Sequence, residues 1–254
     1  MSSSPSPALT IQQAGSDDQQ NALDRPGRSH GPLRRALRNT LHYLSYHFVL
    51  SRPKTQVSRV AGFRLTVPPT VFHPGYFISS EAFAKFVNRL DLSGKTVVDV
   101  GTGTGIIALA AARAGAETVI ATDINPNAAV AAEENGKANG LGNKVRGLCC
   151  NLLAAIGPGP VFDVILSSPP KHAGEPKDLA DAGWHAGTGN RNILKLFEQA
   201  RDRLKPGGRV YLMISSDSDL DLYGKAIAEA GFRARLALEH SIFFESFLLY
   251  ELTQ

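Results

Sequence analysis

Val97-Val98-Asp99-Val100-Gly101-Thr102-Gly103-Thr104-Gly105-Ile106-Ile107-Ala108-Leu109 is the stretch whose reading decides the fold. Its opening run is apolar and rich in β-branched valine, the pattern of a strand buried in a parallel sheet. Glycines then fall at three alternate positions. The segment Ile106 to Ala114 is rich in alanine and leucine and reads as a helix. Strand, glycine turn and helix in that order put backbone N–H groups at the carboxyl end of a strand. Open α/β sheets bind nucleotide-like ligands at such places. The spacing narrows the ligand further. A dinucleotide fingerprint needs glycines at the first, third and sixth places of the turn. Here the third glycine stands at the fifth place and Ile106 at the sixth. A phosphate loop ends in Gly-Lys-Ser/Thr, and this turn holds no lysine.

The 254 residues accommodate one large α/β domain with extra pieces at its ends. No apolar run is long enough to span a bilayer; Leu41 to Leu50 comes nearest but is short and interrupted by histidine. Met1 to Gln20 is polar and lacks the apolar core of a secretory signal. Cys149 and Cys150 are adjacent and lack a metal-ligand spacing, so they read as reduced packing residues of a cytoplasmic protein. No metal site and no membrane partner are expected. The net charge of +4 is unevenly spread: no acid interrupts the basic residues between Arg25 and Arg64. Segment 25–64 therefore reads either as contact for an anionic partner, nucleic acid included, or as the solvated face of an amphipathic helix.

Three regions follow in order. Residues 1–30, rich in Ser, Pro, Gln and Asp, read as a disordered tail. Residues 31–92 read as an extension, a lid or a substrate-binding piece. It opens with a helix from about Leu33 to Leu50, whose Leu33, Leu37, Leu41, Leu44 and Phe48 form one stripe. A strand from Val60 to Val67 stops at Pro68-Pro69. An aromatic loop leads to a helix of Glu81 to about Leu90, capped by Ser79 or Ser80. This segment is either a lid over the glycine turn or a hydrophobic staple for its own helix. Residues 93–254 read as the doubly wound unit. Its strands are expected at Thr96 to Val100, Glu117 to Asp123, Lys144 to Cys149, Phe162 to Ser167 and Arg209 to Ser215. Asn125-Pro126 opens a helix with a cap and a first-turn proline. Pro206-Gly207-Gly208 reads as a turn, and Phe232 to Glu239 with Phe244 to Leu252 reads as a closing antiparallel pair.

The second strand ends in Asp123, twenty residues after Gly103. A carboxylate there accepts hydrogen bonds from both hydroxyls of a ribose, and Ile124 lies against the base. The alternate spacing Asp99-x-Gly101-x-Gly103-x-Gly105 resembles the first motif of class I S-adenosylmethionine (SAM) methyltransferases. Leu204-Lys205-Pro206-Gly207-Gly208 and the closing strand pair are similar to that family as well. The resemblance implies a Rossmann-like α/β fold: a doubly wound, seven-stranded, mostly parallel sheet with a C-terminal antiparallel hairpin. It implies SAM as cofactor, with Asp99 acting on its ammonium end directly or through the loop. Gly101, Thr102, Gly103, Thr104 and Gly105 would form the turn. Asn151 and Leu152 stand where related enzymes put a polar and an apolar contact to adenine; Asn151 also reads as a simple turn former.

Ser167-Ser168-Pro169-Pro170-Lys171 ends the fourth strand with a stiff double-proline corner. It resembles the Asn-Pro-Pro-aromatic motif of amine and amide methyltransferases, which include the HemK/PrmC-like and "methyltransferase small" groups. The resemblance implies that Ser168, Pro169 and Pro170 form the catalytic corner, with Ser168 touching cofactor as well. Two positions depart from the pattern. Ser168 is shorter than asparagine, and Lys171 cannot stack but can meet an anionic group. Lys171, His172 and Trp184 are the expected substrate contacts, Trp184 reading equally as packing. The chain is thus expected to be an enzyme that methylates a nitrogen of a protein glutamine or an RNA base. A small-molecule acceptor, a non-catalytic binding module and a nicotinamide-dependent oxidoreductase are the alternatives.

Overall fold

The computed structural model describes residues 54–74, 78–171, 174–242 and 245–254. The expected tail 1–30, the helix from Leu33, His172 and the basic positions before 54 lie outside the described residues.

The valine run forms strand β3 (Thr96–Val100), buried from Val97 to Val100. Its alternation divides the core. Val97 belongs to the buried cluster under helices α1 (Ile78–Val87) and α2 (Ile106–Arg113). Val98 belongs to the cluster on the opposite face, under α4 (Arg191–Arg203) and α5 (Leu220–Glu229). Helix α2 is buried from Ile106 through Ala112, as a helix apolar all round must be. Strands β4 (Thr118–Asp123) and β5 (Val145–Cys149) lie on one side of β3. Strands β6 (Phe162–Ser167) and β7 (Leu204–Ser215) lie on the other. These five are parallel, with registers such as Val98↔Ile120 and Val98↔Ile165. Strand β9 (Glu245–Thr253) pairs antiparallel to β7, and β8 (Arg233–Ile242) closes the edge antiparallel to β9. The order 5-4-3-6-7-9-8 is the expected seven-stranded, doubly wound sheet with its C-terminal hairpin. Among the described residues no helix is long and apolar enough to cross a membrane.

Three local expectations need correction. The strand expected from Val60 to Val67 is a hairpin of β1 (Gln56–Val60) and β2 (Phe63–Val67). Its two-residue turn puts both Ala61 and Gly62 at positive φ, the geometry that matches strand twist. Helix α1 starts at Ile78, so Ser79 and Ser80 lie in its first turn and not at its cap. The Pro206-Gly207-Gly208 turn is an interruption within β7: Phe162 pairs with Leu204 and Val164 with Arg209, so 205–208 bulge out between them.

The hairpin is tied down by two side-chain amides of α3 (Pro126–Ala138) and its C-cap. Asn139 accepts from the Arg64 N–H (3.0 Å) and donates to the Arg64 carbonyl (2.8 Å). Asn135, 1% exposed, does the same for Thr66 at 2.8 and 2.9 Å, and its amide also donates to Thr104 O at 3.0 Å. Asn135 therefore connects the hairpin to the glycine turn.

Candidate active site

Strand order reverses between β3 and β6, and doubly wound sheets open a crevice beyond the strand ends at that point. A cavity of about 360 Å³ lies there, within the range of small-molecule sites, roughly 300–1,000 Å³. It is lined by the turn after β3, Asp123 and Ile124 after β4, Asn151 and Leu152 after β5, and Ser168 to Lys171 after β6. Phe72 and Trp184 close another wall, their rings 6.0 Å apart. All the expected site residues that are described meet at this one cavity except Gly105, whose part is different.

Gly105 shapes the turn from behind. It has φ 82°, and a Cβ there would lie 2.7 Å from Ala132 Cα, so only glycine lets the turn pack on α3. Gly101 also has positive φ but faces open space. The turn's N–H groups are directed by their partners: Gly101 and Thr102 donate to Thr122 O at 2.9 and 3.0 Å. Gly103 N–H donates to Asp123 Oδ2 at 2.9 Å.

The two carboxylates have distinct environments. Asp99 is 2% exposed; its Oδ2 accepts from Thr102 Oγ1 (2.7 Å) and Ala108 N–H (3.1 Å). Of the two roles open to Asp99, this geometry favours action through the loop: it ties the turn to the first turns of α2. Burial pushes its pKa up to about 7, against the lowering effect of those two donors, and Asp123 adds a smaller upward push. Asp123 lies at the cavity wall, with Oδ1 accepting from Asn125 N–H at 2.9 Å and Oδ2 from Gly103. Burial raises its pKa too, opposed by the backbone N–H groups of Asn125, Gly103 and Ile124. Ile124 is 49% exposed beside it, an apolar face open to a ring. Leu152 holds positive φ, so its side chain leaves an unusual backbone toward the same cavity.

Ser167 Oγ donates to Val100 O at 3.0 Å and fixes the end of β6 to β3. The next residue, Ser168, is exposed, and Pro169 and Pro170 are half-buried. Lys171 does not wait for an anionic ligand group: its Nζ lies 2.7 Å from Glu245 Oε1 and 3.9 Å from Asp217 Oδ2. Glu245, at the start of β9, and Ser215, at the end of β7, also line the cavity. Sequence reasoning missed both, and a partner 74 positions away leaves no local signal.

Residues 80–167 match the family model described as ribosomal protein L11 methyltransferase. The ribosomal protein L11 methyltransferases of Vibrio parahaemolyticus and Deinococcus radiodurans match over only 26% and 29% of their own length. A relative named "putative protein N5-glutamine methyltransferase" from Methanocaldococcus jannaschii is 27% identical over 200 residues, covering 76% of this chain and 96% of the relative. Among solved structures, the ribosomal protein L11 methylase of Lactobacillus delbrueckii is 27% identical at TM-score 0.54, covering 72% of this chain and 82% of its own. A T. thermophilus 16S rRNA N2 methyltransferase, in complex with AdoMet and guanosine, superposes at TM-score 0.56 with 22% identity. That match covers 78% of this chain and 50% of the other. The matched segment and the fold together indicate a SAM-dependent methyltransferase. The cavity of this methyltransferase fits that cofactor on its own chemistry. Buried Asp99 and half-buried Asp123, both with raised pKa, gain from a cationic ligand, and the exposed Ile124 offers an apolar face beside Asp123.

Proposed function

We propose that this methyltransferase transfers the methyl group of SAM to a nitrogen of a protein glutamine or an RNA base. The observation that carries the reading is the meeting, in one cavity, of the glycine turn, Asp123 and the Ser168-Pro169-Pro170 corner. When bound, the cofactor supplies an electrophilic methyl carried on a sulfonium. The chain's residues bind and orient. Asp123 accepts from the ribose hydroxyls through the lone pairs that its backbone donors leave over. Ile124 and Leu152 enclose the adenine, and Asn151 meets its polar edge. Gly101 to Thr104 hold the amino-acid end, with Asp99 keeping the turn in place. Ser168 and the Pro169 carbonyl hold the acceptor nitrogen, and the rigid corner limits how far it can stray from the methyl. Placement and water exclusion supply the rate, since a neutral amide or exocyclic amine needs no strong base. The bound cofactor would give up its methyl and leave as the neutral thioether, and the surplus proton of the nitrogen held by Ser168 and Pro169 would pass to solvent.

Segment 54–74 forms part of the cavity wall through Thr70 and Phe72, which supports the reading of the N-terminal extension as a substrate-side piece. A cytoplasmic location belongs to the same proposal. Incubation with tritiated SAM and fractionated cell extract tests it: label removed by protease indicates a protein acceptor, label removed by nuclease an RNA. Tight SAM binding with no label in any fraction would favour a binding module instead.

A further inference from the structure

The resembled motif has an asparagine where this chain has Ser168, and the acceptor-holding oxygen it provides is out of reach of a serine. A second group at the same cavity has an oxygen to offer. Among the described residues Glu245 has two side-chain donors, and Oε1 receives both: Lys171 Nζ at 2.7 Å and the Ser215 hydroxyl. Neither is bonded to Oε2. Ser215 is itself fixed, since its oxygen accepts from Asp217 N–H at 3.0 Å. The carboxylate is thus clamped by one oxygen from two sides, on the sheet edge that continues from the proline corner, and its side chain is three-quarters buried at the cavity. Lys171 follows that corner directly, so the corner and the carboxylate are one bonded unit.

We propose that Glu245 is the acceptor-binding carboxylate of this enzyme, its Oε2 receiving an N–H of the nitrogen to be methylated. The inference rests on the reading of the cavity as a SAM-dependent methyl-transfer site. Lys171 then has the task of holding Glu245 in place as a carboxylate, instead of the stacking done by an aromatic residue. The arrangement also sets the substrate class. A nitrogen held by both the Pro169 carbonyl and Glu245 must carry two hydrogens, so a primary amide or an exocyclic amine fits and a ring nitrogen does not. An acceptor tip bearing negative charge is rejected by the carboxylate.

Sinefungin tests this without knowledge of the acceptor. It matches SAM in outline but carries a primary amine where SAM has its methyl, so its N–H groups lie where the acceptor meets the methyl. S-adenosylhomocysteine lacks that amine. Calorimetry of both compounds is run on the wild-type chain and on Glu245→Gln, which keeps an oxygen for Lys171 and Ser215. The wild type is expected to bind sinefungin at least about tenfold tighter than S-adenosylhomocysteine, as charge-assisted hydrogen bonds to an ammonium require. Glu245→Gln is expected to lose about tenfold of that preference while its affinity for S-adenosylhomocysteine stays within about twofold. An equal preference in both proteins, or none in the wild type, overturns the assignment. Loss of S-adenosylhomocysteine binding in the variant alone also overturns it, because Glu245 would then be part of the cofactor site or the fold. Failure of the wild type to bind either compound refutes the cofactor reading itself.

Discussion

Replacing Asp99 by asparagine removes a pH-dependent cost from the folded state. Asp99 accepts two hydrogen bonds, both at Oδ2, so an asparagine with its oxygen at that place imitates the protonated acid. Burial lifts the folded pKa from 3.8 to about 7. The unfolded chain therefore ionises this group about three pH units before the folded one does. The sign follows from linkage: the stability contribution is full below pH 3.8 and is lost as pH rises toward 7. At 1.36 kcal/mol per unit, the wild type loses about 1.7 kcal/mol from this group by pH 5 and about 4 kcal/mol by pH 8. The asparagine variant, having no proton to lose, is spared all of it. The stability of Asp99→Asn relative to wild type should therefore rise by about 2–3 kcal/mol between pH 5 and pH 8. Urea unfolding of both ligand-free proteins at the two pH values measures the difference. A relative stability that moves by less than about 0.5 kcal/mol would show that Asp99 ionises in the folded protein much as it does in the unfolded chain.

Other outcomes follow from the same geometry. Asp123→Ala should weaken SAM binding by at least about tenfold in calorimetry, from two lost carboxylate hydrogen bonds; unchanged affinity would remove the ribose assignment. Gly101→Ala should cost about 1–2 kcal/mol for its positive φ alone, because the space around it is open. Gly105→Ala should cost roughly 1–3 kcal/mol more from overpacking against Ala132, so equal thermal midpoints would refute the packing argument. Asn135→Ala should destabilise the fold by about 2–3 kcal/mol, since it leaves Thr66 and Thr104 backbone groups without their partner. Hydrogen exchange at the Thr66 amide should accelerate, and an unchanged rate there would argue against the clasp.

What could be read from the chain is local, and what could not is distant. The valine run, the alternate glycines and the Asn125-Pro126 cap each act within a few residues. The cap is made as expected, with Asn125 Oδ1 accepting from Asn127 N–H at 3.0 Å. The hairpin was hidden because Ala61-Gly62 is not one of the usual turn pairs and the alternation from Val60 onward looks unbroken. Ser79 and Ser80 are good cap residues in the wrong place, two and three residues too late for a helix that begins at Ile78. Lys171 reads as a free cation until β9 brings Glu245 against it. Asn135 and Asn139 look like ordinary polar positions of a surface helix, and only tertiary packing turns them toward β2.

That last arrangement bears on how this molecule avoids its own copies. A lone two-stranded ribbon normally offers rows of unsatisfied peptide groups on both flanks, each an invitation to intermolecular strand addition. On β2 the outer row at Arg64 and Thr66 is already occupied by two amides that copy the donor and acceptor pattern of a neighbouring backbone. Polymerisation through that flank is barred by two asparagines that α3 and its C-cap lay along it, with no extra strand required.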